Sequence, residues 1–423
     1  MNLHYNVCES ILESPNLTFQ KEGAHMISKA LMELIFSAAS IERWNDHPRT
    51  PQFTELDKQS HKAMIAWFIA RAEEDRGRTV NWDRLIRNGA FSFLHRVLVT
   101  DIKPPIFHRL MADREQQKQL NAWVFSQLEP LLSPIAGGLC EQCREYLDGV
   151  NETFEDRILG AAHYIATRWE FGFIYYWSKP LYGIEKTRVE IMGEIEKYRD
   201  LALVEDLLSQ PADQGFSALV SLVGQLQFQK RWAQVQRLPA TSVLGHLLVV
   251  GLLSWLIAIE IGAGPRRRRN DFYCGLFHDL PEVLTRDIIS PVKRSVVGLD
   301  ELIKRLERQV IEENLFPLLP PTWRNDVLYM VMDEFQNRVR VDGKVRIIAR
   351  DLTNEEGRDE MDPVDGRIVE VCDKLSAYIE AKESIRLGIR PAPLEEAAMR
   401  LSDQFAGRVV AGYEASRLFG CFR

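Results

Sequence analysis

A histidine, an aspartate and a glutamate stand close together in GLFHDLPEVLTRD (275–287), as His278, Asp279 and Glu282. Adjacent imidazole and carboxylate donors suit a divalent metal of borderline hardness. On a helix, residues 278 and 282 share a face and residue 279 sits one step round it. A lone His-Asp dipeptide is common on helix surfaces and by itself implies no site. Two more residues change its weight. His246 opens an otherwise apolar stretch, followed by LLVVGLLSWLIAI, where an imidazole must find a partner. Asp373 lies in GRIVEVCDKLSAYIEAKESI (366–385), and a buried carboxylate is costly unless paired or bound to a metal. One histidine, a His-Asp pair and a distant aspartate, each on an apolar helix, would make a mixed nitrogen and oxygen metal site between packed helices. The alternative is that a separate core hydrogen bond satisfies each of them.

The elements that must position these residues are helical. Segments such as LIKRLERQVIEENL (302–315) repeat apolar residues at three- and four-residue spacing, and most prolines fall between such segments. VRVDGKVRIIA (339–349) reads either as a short hairpin or as a helix with a poor start. The expected fold class is all-α. The apolar stretch 247–259 is about 13 residues long where a membrane span takes roughly 20, so a buried core helix is expected there. The run Arg266–Arg269 after it is read as a solvated connection, with capture of an anionic ligand as the lesser alternative.

With 423 residues, two domains are the natural expectation. Apolar residues make up 46% and charged residues 27%, which excludes extensive disorder. A net charge of −7, with both signs mixed, offers no field to attract nucleic acid. Six cysteines are too few for a disulfide scaffold, and Cys140 and Cys143 lack the second pair of a zinc site. The start, MNLHYNVCES, has no basic region followed by an apolar stretch, so a reducing cytoplasm is the expected compartment.

Similar strings recur in one order in both halves. Arg43-Trp44, His61, VLVTDIKPPI (97–106) and RILGAAHYIA (157–166) answer to Arg231-Trp232, His246, VLTRDIISPV (283–292) and RIVEVCDKLSAY (367–378). The offsets are 188, 185, 186 and 210 residues, which points to internal duplication. Residues 1–190 would form the first helical domain and 205–423 the second.

The string His246…His278-Asp279-x-x-Glu282…Asp287…Asp373 resembles the HD-domain phosphohydrolases. Arg231-Trp232, HDxxEVLTxD, SPVK (290–293) and DKLSAY (373–378) are similar to their 5′-deoxynucleotidase branch. The resemblance covers 225–390 strongly and 40–170 faintly. It implies one divalent metal (manganese, cobalt, iron or zinc) on His246, His278, Asp279 and Asp373. It gives Glu282 the activation of water or protonation of the leaving oxygen, and Asp287 the 3′-hydroxyl of the sugar. Arg231 would hold phosphate, Trp232 would exclude a 2′-hydroxyl, and Ser290 and Lys293 would assist at the phosphate. In the first half Ser92-Phe93 stand in place of His278-Asp279, Arg96 in place of Glu282 and His163 in place of Asp373, so that copy is expected to be catalytically silent.

The implied function is release of phosphate from 2′-deoxynucleoside 5′-monophosphates. A nucleoside triphosphate or signalling nucleotide as substrate, and a non-catalytic nucleotide sensor, are the alternatives. Expected partners are a small nucleotide, with no stable nucleic acid and no membrane, in a monomeric pseudo-dimer or a homo-oligomer.

Overall fold

The computed structural model describes residues 26–49, 51–100, 110–111, 113–149, 152–285 and 299–422. In chain order the first half contains α1 (Lys29–Ser37), β1 (Glu42–Arg43), β2 (Phe53–Thr54), α2 (Glu55–Asp75), α3 (Trp82–Leu98), α4 (Arg114–Leu132), α5 (Leu139–Asp148), α6 (Phe154–Ser178) and α7 (Ile184–Glu196). There follow α8 (Val204–Ser209), α9 (Gly215–Gly224), α10 (Val243–Glu260), α11 (Pro265–Phe277), α12 (Glu282–Thr285), α13 (Leu299–Val310) and α14 (Pro321–Val331). The chain then forms β3 (Asn337–Val341), β4 (Lys344–Ile348), α15 (Gly366–Arg386), α16 (Ala392–Gln404), β5 (Val409–Val410), β6 (Tyr413–Glu414) and α17 (Ala415–Gly420). The fold is all-α, and among the described residues the strands form two-stranded antiparallel ribbons only.

Local chemistry sets the helix starts. Thr54 and Ser242 cap α2 and α10 by accepting from the backbone N–H three residues on, and Thr153 and Asp156 form a reciprocal capping box at α6. Of the two readings of 339–349, the hairpin is found: Asp342 and Gly343 form its turn at φ 49° and 74°, the left-handed pair that a two-residue hairpin requires.

In the first half α2 packs on α6 and α3; in the second α10 packs on α11 and α15; and α2 and α10 pack on each other at the centre. Helix α10 is 18 residues long and apolar enough to cross a membrane, yet 94% of it is buried inside the protein. Being apolar all round, it is stable only when surrounded. A Cβ on Gly275 would lie 2.8 Å from the Cα of Gly251, so only glycine lets α11 approach α10 this closely. That crossing sets the distance between the helices that carry His278 and His246.

The arginine run is neither a solvated connection nor a free anion trap. It is the first turn of α11. Arg267 pairs with Asp365, Arg268 with Asp83 of α3 at 3.2 Å, and the Arg269 guanidinium lies 3.7 Å from the centre of the Trp82 ring. Arg266 is 3.6 Å from Asp362. Trp67 and Phe68 of α2 also pack against Phe277 and Trp323, so apolar contact continues from one half into the other.

Candidate metal centre

His246 sits one turn into α10 and Asp373 two turns into α15, while His278 ends α11. The Nε2 atom of His246 is 3.1 Å from Asp373 Oδ1 and 3.9 Å from Asp279 Oδ2. His278 Nε2 is 3.2 Å from Asp279 Oδ2. The two imidazole rings lie 5.5 Å apart. His246, His278 and Asp373 each offer a ligand atom within 4.8 Å of the others, a group that could hold a metal ion. The structure thus gathers all four expected donors.

The outer contacts orient the rings. His278 Nδ1 is 2.9 Å from the Gly275 carbonyl, to which it donates, and His246 Nδ1 is 3.0 Å from Ser376 Oγ. Each Nε2 therefore faces the carboxylates. Both are buried, and neither forms a hydrogen bond of good geometry despite the short distances. A buried polar atom without such a bond calls for an explanation, and a divalent cation fits this donor set. Second-contact partners on the far ring nitrogen are the usual way a metal-binding histidine is held.

The electrostatics agree. Burial works against charge on His278, but the adjacent Asp279 carboxylate outweighs it and pushes the imidazole up to about 9. Burial likewise opposes ionisation of Asp279, yet His278 holds it down to about 2. Asp373, although buried, stays well below the usual carboxylate range because of Lys374, whose Nζ is 2.7 Å away. Burial and the nearby Arg231 instead push His246 down. The pocket thus favours positive charge at the shared centre, which a metal would supply in place of a proton on His278.

Glu282 does not continue α11. Pro281 has no N–H, and the chain makes a turn through 278–281 before Glu282 starts α12. Its backbone is tied to the site, Glu282 N donating to Asp279 O at 3.0 Å and Gln229 donating to Glu282 O at 2.7 Å. Its carboxylate also helps keep Arg231 charged. Asp287, Ser290 and Lys293 lie outside the described residues.

Sequence reasoning missed Glu380. Arg231 Nε and the Trp232 indole N–H both donate to its Oε2, at 3.3 and 2.7 Å, and Thr241 donates to its Oε1 at 2.5 Å. Glu380 is fully buried, and despite that burial Arg231 holds its carboxyl down to about 2. The available signal was periodicity: residue 380 stands two turns beyond Asp373 on one helix face. The first half has the same device, with Arg43 and Trp44 donating to Glu170 at 2.9 Å.

The family model of the HD domain matches residues 223–402. No curated protein matches the chain. Among solved structures, an HD-domain phosphohydrolase from Listeria innocua is similar at 16% identity and a TM-score of 0.36, covering 49% of this chain and 84% of its own. Every donor of the cluster, His246, His278, Asp279 and Asp373, lies within the stretch that matches the HD-domain family model.

Proposed function

We propose that the second half is a metal-dependent phosphohydrolase that releases phosphate from 2′-deoxynucleoside 5′-monophosphates. The observation that carries this reading is the pair of buried histidine Nε2 atoms facing two carboxylates with no well-formed hydrogen bond of their own. His246, His278, Asp279 and Asp373 would hold one manganese, cobalt, iron or zinc ion, which lowers the pKa of bound water and polarises the phosphoryl group. Glu282, beside Asp279, moves the proton between water and the leaving 5′-oxygen. Arg231 is fixed through Nε by Glu380, which aims its guanidinium, and its terminal nitrogens take phosphate oxygens. Trp232 closes the sugar pocket against a 2′-hydroxyl; Asp287 accepts from the 3′-hydroxyl, and Ser290 and Lys293 add donors at the phosphate.

The polyphosphate alternative rested on the arginine run, whose members are occupied by Asp362, Asp365, Asp83 and Trp82. The deciding experiment is a phosphate-release screen of nucleotides against several divalent metals. Equal rates on AMP and dAMP would remove the deoxynucleotide assignment.

The first half, in the same reading, is a silent duplicate. Its support is the shared Arg-Trp-Glu arrangement, with Arg and Trp at the offset of 188 and Glu at 210, and the shared caps Thr54 and Ser242, also at 188. Carried along α2, that offset puts Lys58, not His61, at the place of His246. Lys58 Nζ meets the His163 ring, whereas His61 Nε2 turns to the Val220 carbonyl at 2.9 Å. A lysine amine, pushed well below its ordinary pKa by burial, then stands where the other half would bind its metal.

A further inference from the structure

Lys58 and Lys62 lie one turn apart on α2 and are only 1% and 4% exposed. A buried ammonium is costly unless an anion stands beside it. Lys62 Nζ donates to the Ser92 hydroxyl at 2.9 Å, and Lys58 Nζ meets the His163 imidazole; both partners are uncharged. Among the described residues neither lysine forms an ion pair. The nearby Glu55 carboxylate is taken by Arg43 and Gln59. Burial pushes Lys58 well below the ordinary lysine range and Lys62 only to about 8, so it is Lys62 that stays largely protonated at neutral pH.

A cavity of about 660 Å³ opens beside Lys62 and His163, with Arg84, Arg87, Asn88 and Ser92 in its wall. That volume lies within the range of small-molecule sites. Arg87 Nε is buried there without a hydrogen-bond partner. Of the neighbouring acids, Asp83 reaches Arg87 at 4.0 Å but is shared with Arg268 at 3.2 Å. Asp156 is engaged by Asn88 and by its own helix cap, and Glu145 and Glu152 are exposed at the rim.

We propose that this cavity binds a small phosphorylated molecule, its phosphate set against Lys62 and Ser92 with Arg87 facing the same space. Lys62 and Arg87 together match a phosphate monoester, which carries close to two negative charges at neutral pH, better than a carboxylate. The cavity is far larger than a bare ion needs, so it takes an organic group as well. The site stands on first-half residues alone and does not depend on hydrolysis in the second half.

The test is calorimetric titration and thermal unfolding of the full chain in EDTA, with inorganic phosphate and ribose 5-phosphate as probes. Ribose 5-phosphate should bind once per chain and raise Tm by several degrees. Lys62→Met should abolish that shift, Arg87→Gln should weaken binding at least tenfold, and His278→Ala, altered in the other half, should respond as the unmodified protein does. If Lys62→Met does not fold, Arg87→Gln carries the comparison. Equal responses in the wild type and these first-half variants, or no response to either probe, would overturn the site. A response to inorganic phosphate alone would overturn the organic part of the proposal.

Discussion

Trp44 and Trp232 share one left-handed backbone angle, φ 57°, and each donates its indole N–H to a buried glutamate, Glu170 or Glu380. A bulky residue in this region costs roughly 1–2 kcal/mol, so the glutamate must hold it there. In the second half the same carboxylate aims Arg231. Glu380→Gln should therefore leave metal content intact while raising KM for the nucleotide. Loss of the ionic partner of a buried guanidinium should lower stability by on the order of 3 kcal/mol. Metal analysis, steady-state kinetics and denaturant unfolding together check this. Unchanged KM with an unchanged midpoint would remove the positioning role.

The donors and the proton carrier should separate cleanly. His278→Ala and Asp373→Asn should lose bound metal and activity together. Glu282→Ala should retain metal yet lose on the order of 10²-fold in turnover, as removal of a general acid–base group usually does. Elemental analysis of purified variants alongside phosphate release decides the matter. Wild-type turnover by Glu282→Ala would exclude it as the proton carrier.

Trp232 should govern sugar choice. A rigid indole discriminates by exclusion, so dAMP should be hydrolysed faster than AMP, and Trp232→Ala should narrow that ratio by admitting the ribonucleotide. The readout is kcat/KM for both substrates. A ratio untouched by the substitution would place the selectivity elsewhere.

One pH dependence comes from the junction of the halves. Asp57 of α2 accepts from Ser242, the cap of α10, and burial raises its carboxyl to about 6. The folded state then holds a proton that the unfolded chain has released above its ordinary value near 3.9. Stability must fall as pH rises from about 4 to about 6, by at most roughly 3 kcal/mol for a shift of this size. Asp57→Asn should lack this component, so the stability difference between the two proteins should change across that window and level off above it. Parallel urea titrations at pH 4, 5, 6 and 7 measure it, and a constant difference would contradict the assignment.

The convergence of His246, His278, Asp279 and Asp373 was legible because a histidine or aspartate inside an apolar helix has few other uses, and spacing placed each on an inward face. Glu380 was not, since an acid in the second half of a helix normally reads as solvent-exposed and its three donors lie 139 to 149 positions earlier in the sequence. Matching by residue type paired His61 with His246, but helix register is set by the caps, and Thr54 with Ser242 brings Lys58 to that place instead. The arginine run misled for a geometric reason. Successive helical residues point about 100° apart, so four like charges in a row can reach four separate partners. The break at Pro281 was visible in the sequence, yet the backbone bonds that keep Glu282 beside Asp279 across it were not.

The contacts that Arg268 and Arg269 make with Asp83 and Trp82, and those of Trp67 with Phe277 and Trp323, all link the first half to the second. Two separate chains joined in this way would part on dilution and lose the face that supports α10. Here the peptide chain holds the supporting surface at a fixed local concentration, whatever the amount of protein in solution. The support that α2 gives to the helix carrying His246 is thus independent of mass action.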